Sequence, residues 1–262
     1  MASHQMQSNR FELKYVIDEK RARLARDFVR AHLEPDPYAK PANNYSYFIH
    51  SLYLDTPDRQ LCFATTAGHR NRIKLRIRFY DDNPDTPIFF EIKRRVNDVI
   101  LKERAAARKS CVSRLLGGWW PERSDLFKPD DDNAWRSLWR FMEMKDALKA
   151  DGAIFVSYLR EAWVHPVDDS VRVTVDRDLT TAPAHGAPFT LANFEKWRRP
   201  PLDGVVLELK FTDRFPHWMR ELVQTFNLWR GPFAKYVTCT HNLSHASPRT
   251  PDGRTYMDKF VS

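Results

Sequence analysis

In IKLRIRFY, residues 73–80, apolar Ile73, Leu75, Ile77 and Phe79 alternate with Lys74, Arg76 and Arg78. That period of two belongs to a strand with one buried face. The alternation returns at 11–17, in SYFIHSLYLD at 46–55, and in IFFEIKRR, where Glu91, Lys93 and Arg95 share a side. It is present again at 98–107 with Lys102 and Arg104, in AIFVSYLREAWV, in SVRVTVDRDL with Arg172, Thr174 and Asp176, and in GVVLELKFTD with Glu208 and Lys210. A last short strand is expected in AKYVTCTHN. The intervening DDNPDTP is a turn by its Asp, Asn and Pro content.

Other stretches carry the helical period. Asp18 is expected to cap a helix reaching about residue 33, with Leu24, Phe28 and Ala31 or Leu33 on its covering side, and Pro35 and Pro37 ending it. A small helical turn is expected after TPDR. Residues 119–150 read as helix with loops, in which Trp135, Leu138, Trp139 and Met142 are core. Phe215 and Pro216 open a final helix with a stripe of Trp218, Leu222, Phe226 and Trp229, closed by Gly231. Residues after 242 read as a loosely ordered tail. No repeat or dividing linker interrupts this order. Short turns between many strands favour an antiparallel sheet with helices set against it, an α+β arrangement.

Composition sharpens this picture. The chain has 262 residues, 42% of them hydrophobic, enough for a substantial core, and length alone allows one large domain or two small ones. A formal charge of +8 implies an anionic partner: nucleic acid, an anionic membrane surface or a phosphorylated molecule. Three cysteines without a CxxC pair fit reduced thiols in a cytoplasmic protein. No apolar run approaches the roughly 18 residues of a membrane span. The polar N-terminus lacks a signal-peptide core, so the chain is expected to be soluble.

Any one charged strand face reads as a solvated face of an antiparallel sheet. The set is different, because strand after strand carries cations with an occasional Glu. If the sheet closed with its helices outside, these cations would line the interior. Like charges about 4 Å apart repel by roughly 4 kcal/mol at an effective dielectric near 20, and a polyanion would relieve that repulsion. Arg forks suit phosphate oxygens, and the few Glu residues, with those oxygens, could hold a divalent metal.

The motifs RFELKY at 10–15, SLYLDTP, KLRIRFY, FEIK, LKER, SYLREAW, VRVTVD, LELK and FAKY, taken in order, resemble the VTC domain, one of the triphosphate tunnel metalloenzymes. The resemblance spans about 10–242. It implies a single tunnel domain over 1–262, an eight-stranded antiparallel β-barrel with helices packed outside. The implied activity is an ATP-dependent polyphosphate polymerase, moving the γ-phosphate of ATP onto a growing chain with Mn2+ or Mg2+ bound. Implied partners are ATP, polyphosphate, and pyrophosphate or triphosphate. The family's phosphate-binding cations fall on Lys14, Arg76, Arg78, Lys93, Lys102, Arg104, Arg160, Arg172 and Lys210, with Arg172, Lys210 and Lys235 as the catalytic positions. Its metal carboxylate falls on Glu208, with Glu91 and Glu12 supporting the metal or orienting cations. Where hydrolytic relatives begin ExExK, this chain has Arg10, Glu12 and Lys14, which favours the polymerase branch.

Two rivals stay open at this point. One is a metal-dependent tripolyphosphatase or nucleoside triphosphatase in the same tunnel. The other is a non-catalytic module for polyphosphate or nucleic acid, suggested by the charge and the 13% aromatic content. Nucleic acid is the less favoured partner, because the Trp residues fall at helical spacing and the cations on strands. No Walker A or Rossmann fingerprint is present, so a nucleotide would be gripped through its phosphates. His241 and His245 have the spacing of a metal pair but neighbour a Ser/Pro tail, and His50 reads as a packed or exposed histidine.

Overall fold

The computed structural model describes residues 10–97, 99–168, 170–184, 197–231 and 233–243. Among these the strands are β1 (Arg10–Ile17), β2 (Glu34–Pro35), β3 (Ser46–Asp55), β4 (Arg72–Phe79), β5 (Ile88–Val96), β6 (Val99–Ala107), β7 (Asp151–Val164), β8 (Val171–Pro183) and β9 (Val205–Thr212). The α-helices are α1 (Glu19–Val29), α2 (Gln60–Thr66), α3 (Val112–Leu116), α4 (Asp132–Ala147), α5 (His217–Thr225) and α6 (Lys235–Leu243). Hydrogen bonding orders the eight longer strands β1-β9-β8-β7-β3-β4-β5-β6, with β2 beside β7. The eight-stranded antiparallel sheet with helices against it is the α+β class that the short turns imply. Packing divides the chain into two units, one within 1–47, 158–178 and 202–233, the other within 48–157, 179–201 and 234–262.

In the first unit β1 pairs with β9 from Arg10↔Thr212 to Ile17↔Val205, and β8 lies on the other side of β9. The alternation sends Tyr15, Ile17, Val173, Val175, Leu207 and Leu209 to one side, where they pack with α1 and α5. Asp18 caps α1, accepting from the Arg21 amide at 2.8 Å. The buried face of α1 is Ala22, Ala25 and Val29, while Leu24, expected there, is 47% exposed. Two fully buried alanines let the helix axis approach the sheet closely, which a leucine stripe would prevent. On α5 Leu222 is buried as expected, but the helix stops at Thr225 and Trp229 is 78% exposed. At the mouth of β9, Gly204 has φ +124°, and a Cβ there would stand 2.4 Å from the Ile17 carbonyl oxygen. Only glycine allows that approach.

The second unit contains the ladders β3–β4, β4–β5 and β5–β6, all antiparallel. Leu75, Ile77, Phe79, Phe90 and Ile92 form its apolar face, covered by Leu138, Phe141 and Met142 of α4. Phe90 and Phe141 meet edge to face with centroids 5.1 Å apart. The segment AKYVTCTHN, expected as a strand, is helix α6 instead. Its buried residues Tyr236, Cys239 and Thr240 recur at helical spacing, and this packing overrides the strand preference of Tyr, Val and Thr. Of the two histidines at metal-pair spacing, His241 lies on α6, where no helix was expected, whereas His245 and residues 244–262 of the tail lie outside the described residues. Burial pushes the Cys62 thiol up to about 11 and those of Cys111 and Cys239 up to about 12, as expected of inert reduced cysteines.

His50 is a buried histidine of this unit, packed between Phe48 and Phe79 at centroid distances of 5.8 and 5.3 Å. Desolvation lowers its pKa to about 4, against weaker opposition from Asp82 and Asp81. Because the unfolded chain takes up this proton near 6.5, the unfolded state binds more protons between these values. Stability is full above about 6.5 and falls as pH drops toward 4, by about 3 kcal/mol from this group. Denaturant titrations from pH 7 to 4 should therefore show a shallower decline for His50→Phe than for the parent chain, and parallel declines would contradict the assignment.

Candidate functional site

The polar face of β4, β5 and β6 carries the first charged constellation. Register places Arg76, Glu91 and Arg104 in one cross-strand row and Lys74, Lys93 and Lys102 in the next. Glu91, 1% exposed, is the centre of the first row. Its Oε2 lies 2.6 Å from Arg76 Nε and 3.9 Å from Arg78 Nε, and its Oε1 lies 3.1 Å from Lys102 Nζ and 3.3 Å from Arg104 Nε. Burial alone would raise this carboxyl, but Arg76, Arg78, Lys102 and Arg104 together hold it well below the usual carboxylate range. It is therefore ionised at any working pH.

The same crowding acts on the cations. Lys102 is pushed down to about 8, first by desolvation and then by Arg76, Arg78 and Arg104, with Glu91 opposing. Its side chain is still 47% exposed, although its ammonium turns to the buried Glu91 carboxylate. Arg76 also donates to Tyr53 Oη at 3.2 Å, and Tyr53 stacks on Tyr236 of α6 at 4.7 Å. Lys235, half-buried, opens that helix in the same unit.

The other constellation lies in the first unit, on β1, β9, β8 and β7. Register alternates charge across the strands, with Lys14 opposite Glu208 and Glu12 opposite Lys210, and Arg172 beside Lys210. Glu208, 4% exposed, has Oε1 3.5 Å from Lys14 Nζ and Oε2 3.1 Å from Lys210 Nζ and 3.7 Å from Arg160 Nη2. Lys14 also meets Glu12 at 2.8 Å. Arg160 makes a bidentate pair with Asp176 at 2.6 and 2.7 Å. Burial works against the Arg160 charge, but Asp176, Tyr158 and Glu208 outweigh it and keep the guanidinium protonated. Arg172 donates to Asp36 and to Tyr47 Oη, the latter at 3.3 Å.

The residues singled out from the sequence thus fall into two sets. Lys14, Glu12, Arg160, Arg172, Glu208 and Lys210 gather in the first unit, and Arg76, Arg78, Glu91, Lys93, Lys102, Arg104 and Lys235 belong to the second. Residue patterns missed the groups that orient the arginines: Asp36 and Tyr47 for Arg172, and Tyr53 for Arg76. Asp176 was visible only through its alternation with Arg172 and Thr174.

The two carboxylate centres differ in the number of cations around them. The oxygens of Glu91 meet four and those of Glu208 three. Glu208 and Glu12 are joined through Lys14. No group of three or more His, Cys, Asp or Glu suited to a metal occurs among the described residues. One or two carboxylates nevertheless fit a divalent ion that takes its remaining ligands from phosphate and water. No helix among the described residues is long and apolar enough to cross a membrane.

A family model described as the VTC domain matches residues 9–244. No curated protein matches the chain. Among solved structures, a Bacillus halodurans protein provisionally named an adenylate cyclase overlaps 86% of this chain and 95% of its own, at 12% identity and a TM-score of 0.47. A Hippeastrum protein with a dominant triphosphatase activity overlaps 89% and 97%, at 15% identity and a TM-score of 0.45. A Mimivirus capping enzyme triphosphatase overlaps 84% and 90%, at 10% identity and a TM-score of 0.33. The family match, and not these distant overlaps, carries the assignment.

Proposed function

The chain belongs to the VTC domain family, and from that premise we propose that it is an ATP-dependent polyphosphate polymerase acting in a single triphosphate-tunnel domain. The observation that carries this reading is the face of β4–β6, where Arg76, Arg78, Lys102 and Arg104 meet one buried carboxylate and two further lysines, Lys74 and Lys93, share the row of Lys102. A polyanion would relieve the repulsion among the cations of this face. Phosphoryl transfer asks the protein mainly for positioning and charge stabilisation, which cations fixed on strands supply.

In this mechanism the terminal oxygen of the acceptor phosphate attacks the γ-phosphorus of ATP in line, and the bond to the β-phosphate oxygen breaks to release ADP. No enzyme nucleophile takes part. Arg76, Arg78, Lys93 and Lys102 hold phosphate oxygens along the β4–β6 face, with Glu91 keeping the guanidinium groups in place. In the first unit, Arg172, steadied by Asp36 and Tyr47, and Lys210 supply cations for phosphate oxygens. Lys14 and Arg160 fix the Glu208 carboxylate, and Lys235 adds a cation from the start of α6. Glu208 and Glu12 would hold Mg2+ or Mn2+, which supplies further charge neutralisation at phosphate oxygens when bound.

Incubation with ATP and Mn2+, followed by gel separation and polyphosphate staining, tests the reading. Long phosphate chains and ADP are the expected products. Inorganic phosphate without chains would identify a triphosphatase instead. Tighter, salt-sensitive binding to single-stranded DNA than to tripolyphosphate would identify a nucleic-acid module.

A further inference from the structure

At one end of the β4–β6 face the cations give way to aromatic side chains. Register sets three successive rows across the strands: Arg78, Phe89 and Ala106, then Arg76, Glu91 and Arg104, then Lys74, Lys93 and Lys102. The Arg104 guanidinium carbon lies 3.5 Å from the centroid of the Phe89 ring, a distance possible only against the ring face. Its Nε is held by Glu91 at 3.3 Å, and its Nη2 donates to Tyr80 Oη at 3.5 Å. Tyr80 in turn meets Phe89 edge to face at 6.0 Å. The guanidinium is thus pinned flat on one side, while its side chain stays 37% exposed.

From this geometry we infer that Phe89, Arg104 and Tyr80 form a stacking shelf for the base of a nucleoside triphosphate, with the γ-phosphate directed toward the lysine row. The inference rests on the proposal that this face binds such a nucleotide. A planar base stacks favourably on aromatic rings and on guanidinium planes alike, and Ala106, opposite Phe89, places only a methyl group beside the shelf. The spacing suits the ligand. Four residues separate the Phe89 row from the Lys93 row, about 13 Å of strand, which is the scale of an extended nucleoside triphosphate. The shelf sets the direction of the bound nucleotide and makes a phosphate-gripping face prefer a nucleotide over a bare phosphate chain. Because stacking does not read base edges, it distinguishes a base from no base and discriminates little between adenine and guanine.

Calorimetric titration of the full chain tests this without relying on turnover. Wild-type protein should bind ATP at least about five-fold more tightly than ribose 5-triphosphate, which lacks the base. Phe89→Leu should weaken ATP binding about five-fold or more while changing tripolyphosphate affinity less than about two-fold. Retained tripolyphosphate binding in the variant also reports an intact face. Equal affinity of the wild type for ATP and ribose 5-triphosphate would overturn the inference, as would equal losses for ATP and tripolyphosphate in a folded variant. If the variant fails to fold, the wild-type comparison decides. A chain that makes no polymer yet shows these preferences would sink the polymerase reading and leave the shelf standing.

Discussion

Glu91→Gln is expected to lower the unfolding free energy by about 3–5 kcal/mol, the range for removing one partner from a buried ion pair. The carboxylate is 1% exposed and lies within 4 Å of Arg76, Arg78, Lys102 and Arg104, so glutamine leaves those positive groups facing one another around a neutral amide. The loss falls mainly on Arg76 and Arg78, whose side chains are 18% and 10% exposed, since those of Lys102 and Arg104 are 47% and 37% exposed and partly screened by water. Tripolyphosphate should restore a large part of the lost stability, by supplying the negative charge the variant lacks. Denaturant melts with and without tripolyphosphate measure both effects. A variant as stable as the parent, or one that tripolyphosphate does not rescue more than it stabilises the parent, would show that Glu91 is not the electrostatic keystone of the row.

Glu208→Gln should behave in the opposite way. Arg160 keeps its bidentate partner Asp176, Lys14 keeps Glu12, and Lys210, which loses its ion pair with Glu208, is 30% exposed and can turn to water, so the fold should persist. Turnover, however, should fall by more than about a hundredfold, because a metal's charge stabilisation contributes several kcal/mol to a transition state. Polymer formation from ATP, measured beside a melting curve, separates the two readouts. Full activity in a folded variant would remove Glu208 from the site. Low activity restored by raising Mn2+ would support weakened metal binding as the cause.

Local alternation made much of this molecule readable in advance. Lys74, Arg76 and Arg78 had to share a side once Leu75 and Ile77 were placed in a core, and strand register then brings Glu91 and Arg104 beside Arg76. What local pattern could not give was pairing between distant segments. Asp36 follows α1 in a proline-flanked stretch, and nothing nearby announces that it holds Arg172, 136 positions later. The covering face of α1 was legible only in part for a related reason. Phe28 and Leu33 pack against the core as a hydrophobicity count implies, but Leu24 does not, and close packing adds Ala22 and Ala25. The end of the chain was harder still, since Tyr, Val and Thr in KYVTCTHNL favour strands in isolation. Only the burial of Tyr236, Cys239 and Thr240 together makes the segment a helix.

Asp55 carries a consequence for anyone redesigning this protein. Its carboxylate receives the amides of Leu61 and Cys62 at 2.8 and 2.9 Å and the phenol of Tyr236, tying the end of β3 to the start of α2 and to α6. Lys235 is the neighbour of that phenol in the chain, so the start of α6, and with it a cation proposed for phosphate binding, is anchored by an acid outside the proposed phosphate-binding set. Relocating Lys235 would mean rebuilding the anchor at Asp55.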